Sequence, residues 1–272
     1  MKDLRLRISN TIIIIFVLIN FSYGQEKEFR EPQNLDVKIF RVFNNYRTSF
    51  LDVAISITDK SLLPVSILTP AGFYAISYAN KNHYDENTAV LCLLSEATGT
   101  VTTLGLKHIF KRKRPYQTLS NVFYNKQNSP TDEYSFPSGH STVAFSIATT
   151  FTLRYPDKPV LISGLYLYAL IISYGRLYMG VHYPSDLLGG ALIGTGSAVL
   201  IYSLRKEIIK GKNNLFNQSS HTDSNQNLLS SYFPLIAIIS ADIINHFFLS
   251  EKTRFEVNAT GTGMTIGINQ RF

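Results

Sequence analysis

Five long apolar stretches, residues 62–79, 88–106, 142–153, 160–174 and 187–204, dominate what this chain can become. A sixth, 233–249, follows after a polar gap. Runs that are apolar all round form helices buried in a large core or set in a bilayer. Several approach the about 20 residues that cross a membrane, whereas 142–153 is short. Ser, Thr or Gly interrupts each stretch and Glu96 sits within the second, so helices of a soluble bundle would read similarly. The mean hydropathy of +0.04 is modest for a chain with several spans. The length of 272 residues can bury a substantial core. The expected fold is an all-α, multi-helix bundle, with membrane embedding the leading reading and a soluble bundle the alternative.

Charge gives this bundle a direction. Lys2, Arg5 and Arg7 precede the apolar run 11–21, and Ser22-Tyr23-Gly24 offers small residues for cleavage before Gln25. Residues 1–24 therefore read as an export signal, with an uncleaved anchor as the alternative. Lys81 follows the first stretch, Arg154 and Lys158 the third, and Arg205, Lys206, Lys210 and Lys212 the fifth. If all five stretches span, these cations share one side, cytoplasmic by the positive-inside tendency. The polar motifs then share the external side. The net charge of +7 suits anionic partners such as phosphates, anionic lipid or nucleic acid. Cys92, alone in an apolar run, can form no internal disulfide and packs as a small hydrophobe.

Outside the apolar stretches the chain is readable in outline. Leu35, Ile39, Val42, Phe43, Tyr46, Phe50, Val53 and Ile57 recur at helical spacing, with Lys38, Arg41 and Arg47 on other faces. They predict an amphipathic helix or pair of helices, not a span. Residues 211–231 are rich in Asn, Ser and Gln and read as a linker. The tail from Phe255 alternates and carries Gly at its centre, which predicts a short β-hairpin-like tail. The expected organisation is a signal (1–24), a helical domain (25–210), the linker (211–231) and a C-terminal apolar segment with the hairpin-like tail (232–272).

Three polar constellations carry the chemistry. The first runs from Lys107 through Arg114 to Pro115. If the preceding helix continues, Lys107, Lys111 and Arg114 share a face before Pro115 stops it. Cations with no acid nearby in sequence are held together more easily by a bound anion, although a solvated basic helix end has the same composition. The second is Pro137-Ser138-Gly139-His140. Ser138 is a natural N-cap, and a helix start presents free N–H groups and a positive dipole end to an anion. The third runs from Gly175-Arg176 to His182 and Asp186. A carboxylate one helical turn from an imidazole can fix its tautomer and leave the other nitrogen nucleophilic. A packed histidine beside a helix-start Asp would look the same. Together the three can hold phosphate oxygens, attack phosphorus and protonate a leaving oxygen. No Cys, His or carboxylate cluster has metal-ligand spacing, so no metal or other cofactor is expected.

The pattern Lys-x6-Arg-Pro, Pro-Ser-Gly-His, Arg-x5-His-x3-Asp over residues 107–186 resembles the type 2 phosphatidic acid phosphatase and vanadium haloperoxidase superfamily. The resemblance implies a helical bundle of that kind and a phosphohistidine mechanism. It implies that Lys107, Arg114, Ser138, Gly139 and Arg176 bind phosphate. It makes His182 the nucleophile, Asp186 its orienting carboxylate and His140 the general acid. The sequence departs from the family at Gly175, where Ser is usual, which puts one minor phosphate contact in doubt.

The leading expectation is an exported phosphatase acting on lipid phosphate or diphosphate, in the inner membrane with its site facing the periplasm. The alternatives are a soluble periplasmic acid phosphatase of broad specificity, a vanadate-dependent haloperoxidase, and a non-enzymatic anion- or lipid-binding protein. Nucleic acid is not an expected partner, because the basic stretch has no interleaved aromatic platform.

Overall fold

The computed structural model describes residues 34–124, 132–216, 253–260 and 263–270. The export signal, the sixth apolar stretch and most of the linker lie outside the described residues. Helix α1, Leu35–Asn45, starts at Asn34, whose side chain accepts the Val37 N–H at 2.9 Å. Helix α2, Ser49–Ala79, starts at Thr48, which accepts the Leu51 N–H at 3.2 Å. The amphipathic region is thus a pair of helices. Its second member continues without a break into the first apolar stretch, because residues 59–61 supply no stop signal.

Helix α3, His83–Phe110, ends one turn earlier than the shared face of Lys107, Lys111 and Arg114 requires. Lys111 adopts a left-handed backbone with φ 47° and closes the helix through its N–H to Lys107 O at 2.9 Å. Pro115 opens the next short helix, α4, Pro115–Thr118, where its missing N–H costs nothing. Lys111 is consequently exposed while Arg114 is buried. The remaining helices are α5, Gly139–Arg154; α6, Pro159–Tyr178; α7, Pro184–Ser203; and α8, Arg205–Leu215. Helix α8 enters the stretch read as linker. Strands β1, Thr253–Thr260, and β2, Gly263–Gln270, pair antiparallel with Thr260 opposite Gly263, the predicted hairpin.

Helix α5 sits at the centre, packed on α3, α6 and α7. The small residues that made the sequence ambiguous are its packing surface. A Cβ on Gly194 of α7 would lie 2.2 Å from Thr142 O, and one on Gly190 would lie 2.4 Å from Ser138 O. The two helices therefore meet backbone to backbone, the close approach that small residues permit between membrane helices. Gly194→Ala is expected to cost about 1–3 kcal/mol by overpacking. Gly105→Ala, with nothing within 4 Å of the new methyl, is expected to cost nothing. Thermal unfolding of the two variants in detergent checks the contrast.

Four stretches are long and apolar enough to cross a membrane: α2, residues His83–Thr118, α6 and α7. Their outward residues fit lipid contact; Val101 is 70% exposed and Leu192 74%. At one end, Arg154 donates to Thr88 Oγ1 at 2.9 Å and Lys212 pairs with Glu86 at 2.6 Å. Arg154 and Lys212 thus meet at the start of α3, the shared side expected of them. Both are buried.

Candidate active site

The three constellations converge at the other end of the bundle. His182 lies in the turn between α6 and α7, 2% exposed. Its Nε2 is 3.2 Å from Arg114 Nη1, which also donates to Val181 O at 2.9 Å. Because a guanidinium can only donate, Nε2 is the unprotonated nitrogen and Nδ1 carries the hydrogen. Nδ1 faces Asp186 Oδ2 at 3.5 Å without an aligned hydrogen bond. Burial, reinforced by Arg114, Arg176 and Lys107, holds the His182 imidazolium well below the usual histidine range. The ring is neutral, and its lone pair points into the cationic cluster.

Asp186 is fixed from several sides. It occupies the first turn of α7, where Oδ2 accepts the Tyr183 N–H at 2.7 Å and caps the helix. Its Oδ1 accepts from Arg112 at 2.7 Å. Its backbone carbonyl accepts the Ser138 N–H at 2.9 Å, joining the start of α7 to the start of α5. Arg112 reaches Asp36 of α1 at 2.5 Å, and Asp36 also accepts the Ser185 N–H at 2.9 Å. Helix α1 is thereby fastened to the His182–Asp186 pair.

Ser138 caps α5 through a long contact, 3.4 Å from Ser141 N. Gly139 and His140 follow it on the wall of a groove. A Cβ on Gly139 would meet only Thr103 at 3.9 Å, so the residue keeps the groove open. His140 Nε2 lies 3.4 Å from both Arg176 and Asp59. Burial first, then Arg176, pulls its pKa down to about 3, with Asp59 opposing. Arg176 is 3% exposed and pairs with Asp59, while its Nε has no partner among the described residues. Gly175, the departure from the family pattern, serves packing: a Cβ there would stand 3.2 Å from Ile55 of α2.

Every candidate site residue therefore falls in one region. The acids that balance the cations were not legible from local sequence. Lys107 and Arg114 pair with Asp132, Arg112 with Asp36 and Asp186, and Arg176 with Asp59. The basic stretch has no acid nearby in sequence, and carboxylates distant in sequence fold onto it. Asp36 and Asp59 carried no signal beyond being acids in helices. Asp132 stands five residues before Pro137 and could have been noticed for that proximity.

A groove of about 820 Å³ leads to this cluster between α2, α3 and α5. Leu62, Leu63, Ile67, Leu104 and Val143 form its apolar wall, and Lys107, Asp132, Gly139 and His140 its polar end. Leu63 is 69% exposed, so the groove opens on the face of the bundle rather than only at its end. Among the described residues, no three of His, Cys, Asp or Glu converge as a metal site.

Comparison with known families matches residues 88–210 to the PAP2 superfamily. Residues 88–210 are a PAP2 superfamily domain. The chain is 38% identical over 89 residues to an undecaprenyl-diphosphatase of Sulfolobus acidocaldarius, covering 33% of this chain and 41% of that protein. It is 26% identical over 184 residues to a lipid A 4'-phosphatase of Bacteroides thetaiotaomicron, covering 64% and 79%. Its fold resembles the crystal structure of Aquifex aeolicus LpxE with a TM-score of 0.54 and 29% identity, over 64% of this chain and 98% of that one. The chain spans about two fifths of the length of the first curated relatives it matches. The PAP2 domain contains every residue of the three constellations, and its apolar helices make this a membrane protein.

Proposed function

We propose that this chain is an exported phosphatase of lipid phosphate or diphosphate monoesters, working through a phosphohistidine without a metal. The groove is the observation that carries the proposal. Its apolar wall lies along helices fit to cross a bilayer, and its polar end reaches the cationic cluster. An acyl or prenyl chain on that wall would deliver its terminal phosphate to Lys107, Arg114 and Arg176. A soluble ester would leave the wall unused.

The chemistry follows from the positions. Lys107, Arg114, Arg176 and the N–H groups at Ser138 and Gly139 hold the phosphoryl oxygens and offset their charge. His182 Nε2 attacks phosphorus as the bond to the leaving oxygen breaks, and His140 gives that oxygen its proton. Asp186 supports the positive charge that develops on His182. Water then attacks the phosphohistidine, His140 takes the water proton, and the N–P bond breaks to free phosphate and His182. Protein cations do what metal ions do in other phosphoryl-transfer enzymes. The signal-like sequence of residues 1–24 and the cations Arg154 and Lys212 at the opposite end of the bundle support a site facing the periplasm.

The full chain in detergent, assayed on lipid monophosphates, a prenyl diphosphate and soluble esters, tests this. Lipid substrates should be preferred, turnover should persist in EDTA, and vanadate should inhibit, because it adopts the geometry of phosphoryl transfer. A preference for soluble esters overturns the lipid assignment. Activity lost in chelator and restored by Mg²⁺ overturns metal independence.

A further inference from the structure

Lys107 and Arg114 already hold an anion, the side chain of Asp132. Its Oδ1 accepts from Arg114 Nη2 at 2.5 Å and from Lys107 Nζ at 3.2 Å. Its backbone carbonyl accepts from Arg114 Nε at 3.3 Å. Asp132 thus takes the two-donor edge of the guanidinium that would fit a phosphoryl group, together with the ammonium beside it. One oxygen bridging two cations is also how an equatorial phosphoryl oxygen would be held.

Its position matters as much as its contacts. Asp132 lines the groove, whereas Arg114 and His182 do not; they are buried, 1% and 2% exposed. The Asp132 side chain is 43% exposed, so water is at hand to receive the carboxylate if it turns away. Asp59 also lines the groove and pairs with Arg176 in a comparable way, but its side chain is only 16% exposed and it is anchored in α2. A partly solvated ion pair exchanges partners for water at modest cost.

We propose that Asp132 is an internal competitor for the phosphoryl site, leaving Lys107 and Arg114 as substrate enters and returning as product phosphate departs. This rests on the phosphate-binding role proposed for those two cations. A ligand that binds only when the competitor is out binds more weakly, in proportion to the fraction of time the site is open. Three buried cations, Lys107, Arg114 and Arg176, would otherwise retain the inorganic phosphate that each turnover makes. Asp132 supplies the replacement charge that lets it go.

The experiment compares the full chain with Asp132→Asn and Asp132→Ala, using inorganic phosphate and orthovanadate as probes. Binding is measured by calorimetry, which needs no turnover, and separately as Ki against an ester substrate. Both variants should bind phosphate about 10-fold more tightly or better, with Ki and KM falling together. Asn keeps the shape and Ala does not, so agreement between them assigns the effect to the charge, and either one alone decides if the other fails to fold. Phosphate binding that is unchanged, weaker or absent in a folded variant overturns the proposal and makes Asp132 an anchor for Lys107 and Arg114. Should the unaltered chain hydrolyse no ester, the phosphatase reading fails, while the calorimetric comparison still decides Asp132.

Discussion

His182→Ala is expected to abolish turnover of every phosphate ester, by about 10⁴-fold or more, and to leave no trappable phosphohistidine. The loss corresponds to about 5.5 kcal/mol of transition-state stabilisation. The size follows from the role: without Nε2 no bond to phosphorus forms, whatever the leaving group. The cations around it remain, so binding of phosphate should survive, and the loss should fall on kcat. The pH profile gives a second check. The folded protein holds His182 well below the usual histidine range, through burial and then Arg114, Arg176 and Lys107. A nucleophile with a lowered pKa stays neutral as pH falls, so kcat/KM, once corrected for the substrate's own phosphate ionisation, should show no acid limb near the ordinary value of about 6.5. Quenching the enzyme and labelled substrate in alkaline detergent, where the acid-labile N–P bond survives, reads the intermediate directly. A phosphohistidine trapped in His182→Ala would remove His182 from this role.

The helices and the site were legible to different degrees, for physical reasons. The apolar stretches marked the helices because a bilayer or a large core demands apolar residues on all faces. They could not mark the ends. Lys111 ends α3 by turning left-handed, a conformation no side-chain pattern announces in a lysine. Likewise the Gly, Ser and Thr residues did not distinguish a membrane bundle from a soluble core, since close packing wants them in both. Gly190 and Gly194 show why: each admits a neighbouring backbone where a methyl would collide. The motif residues were legible because their chemistry is local in sequence, a helix start at Ser138 or a helical turn from His182 to Asp186. Asp36, Asp59 and Asp132 were not, because their partners are made by folding alone. Asp59, for one, opposes the downward pull of Arg176 on His140.

His140→Ala should behave differently from His182→Ala, and the difference depends on the leaving group. An alkyl alcohol leaves only if protonated, so lipid monophosphate turnover should fall about 10²- to 10⁴-fold. p-Nitrophenolate leaves as a stable anion, so formation of the phosphohistidine from p-nitrophenyl phosphate should be spared most of that loss, and the intermediate should accumulate and be trappable because its hydrolysis still lacks His140 as base. The proton itself has to arrive with the substrate. Burial and Arg176 place the His140 pKa at about 3 in the ligand-free protein, so at neutral pH the ring there is uncharged. A dianionic phosphoryl group among Lys107, Arg114 and Arg176 reverses the local sign and favours the imidazolium. Binding should therefore take up a proton, detectable by calorimetry in buffers of different ionisation enthalpy. With the pKa raised in the complex, the acid is present at low pH and lost as pH rises through it, so kcat on alkyl substrates should fall on the alkaline side. That limb should be weak for the aryl substrate and absent in His140→Ala. Equal losses in phosphohistidine formation from alkyl and aryl substrates, or binding without proton uptake, would move the general acid to another residue.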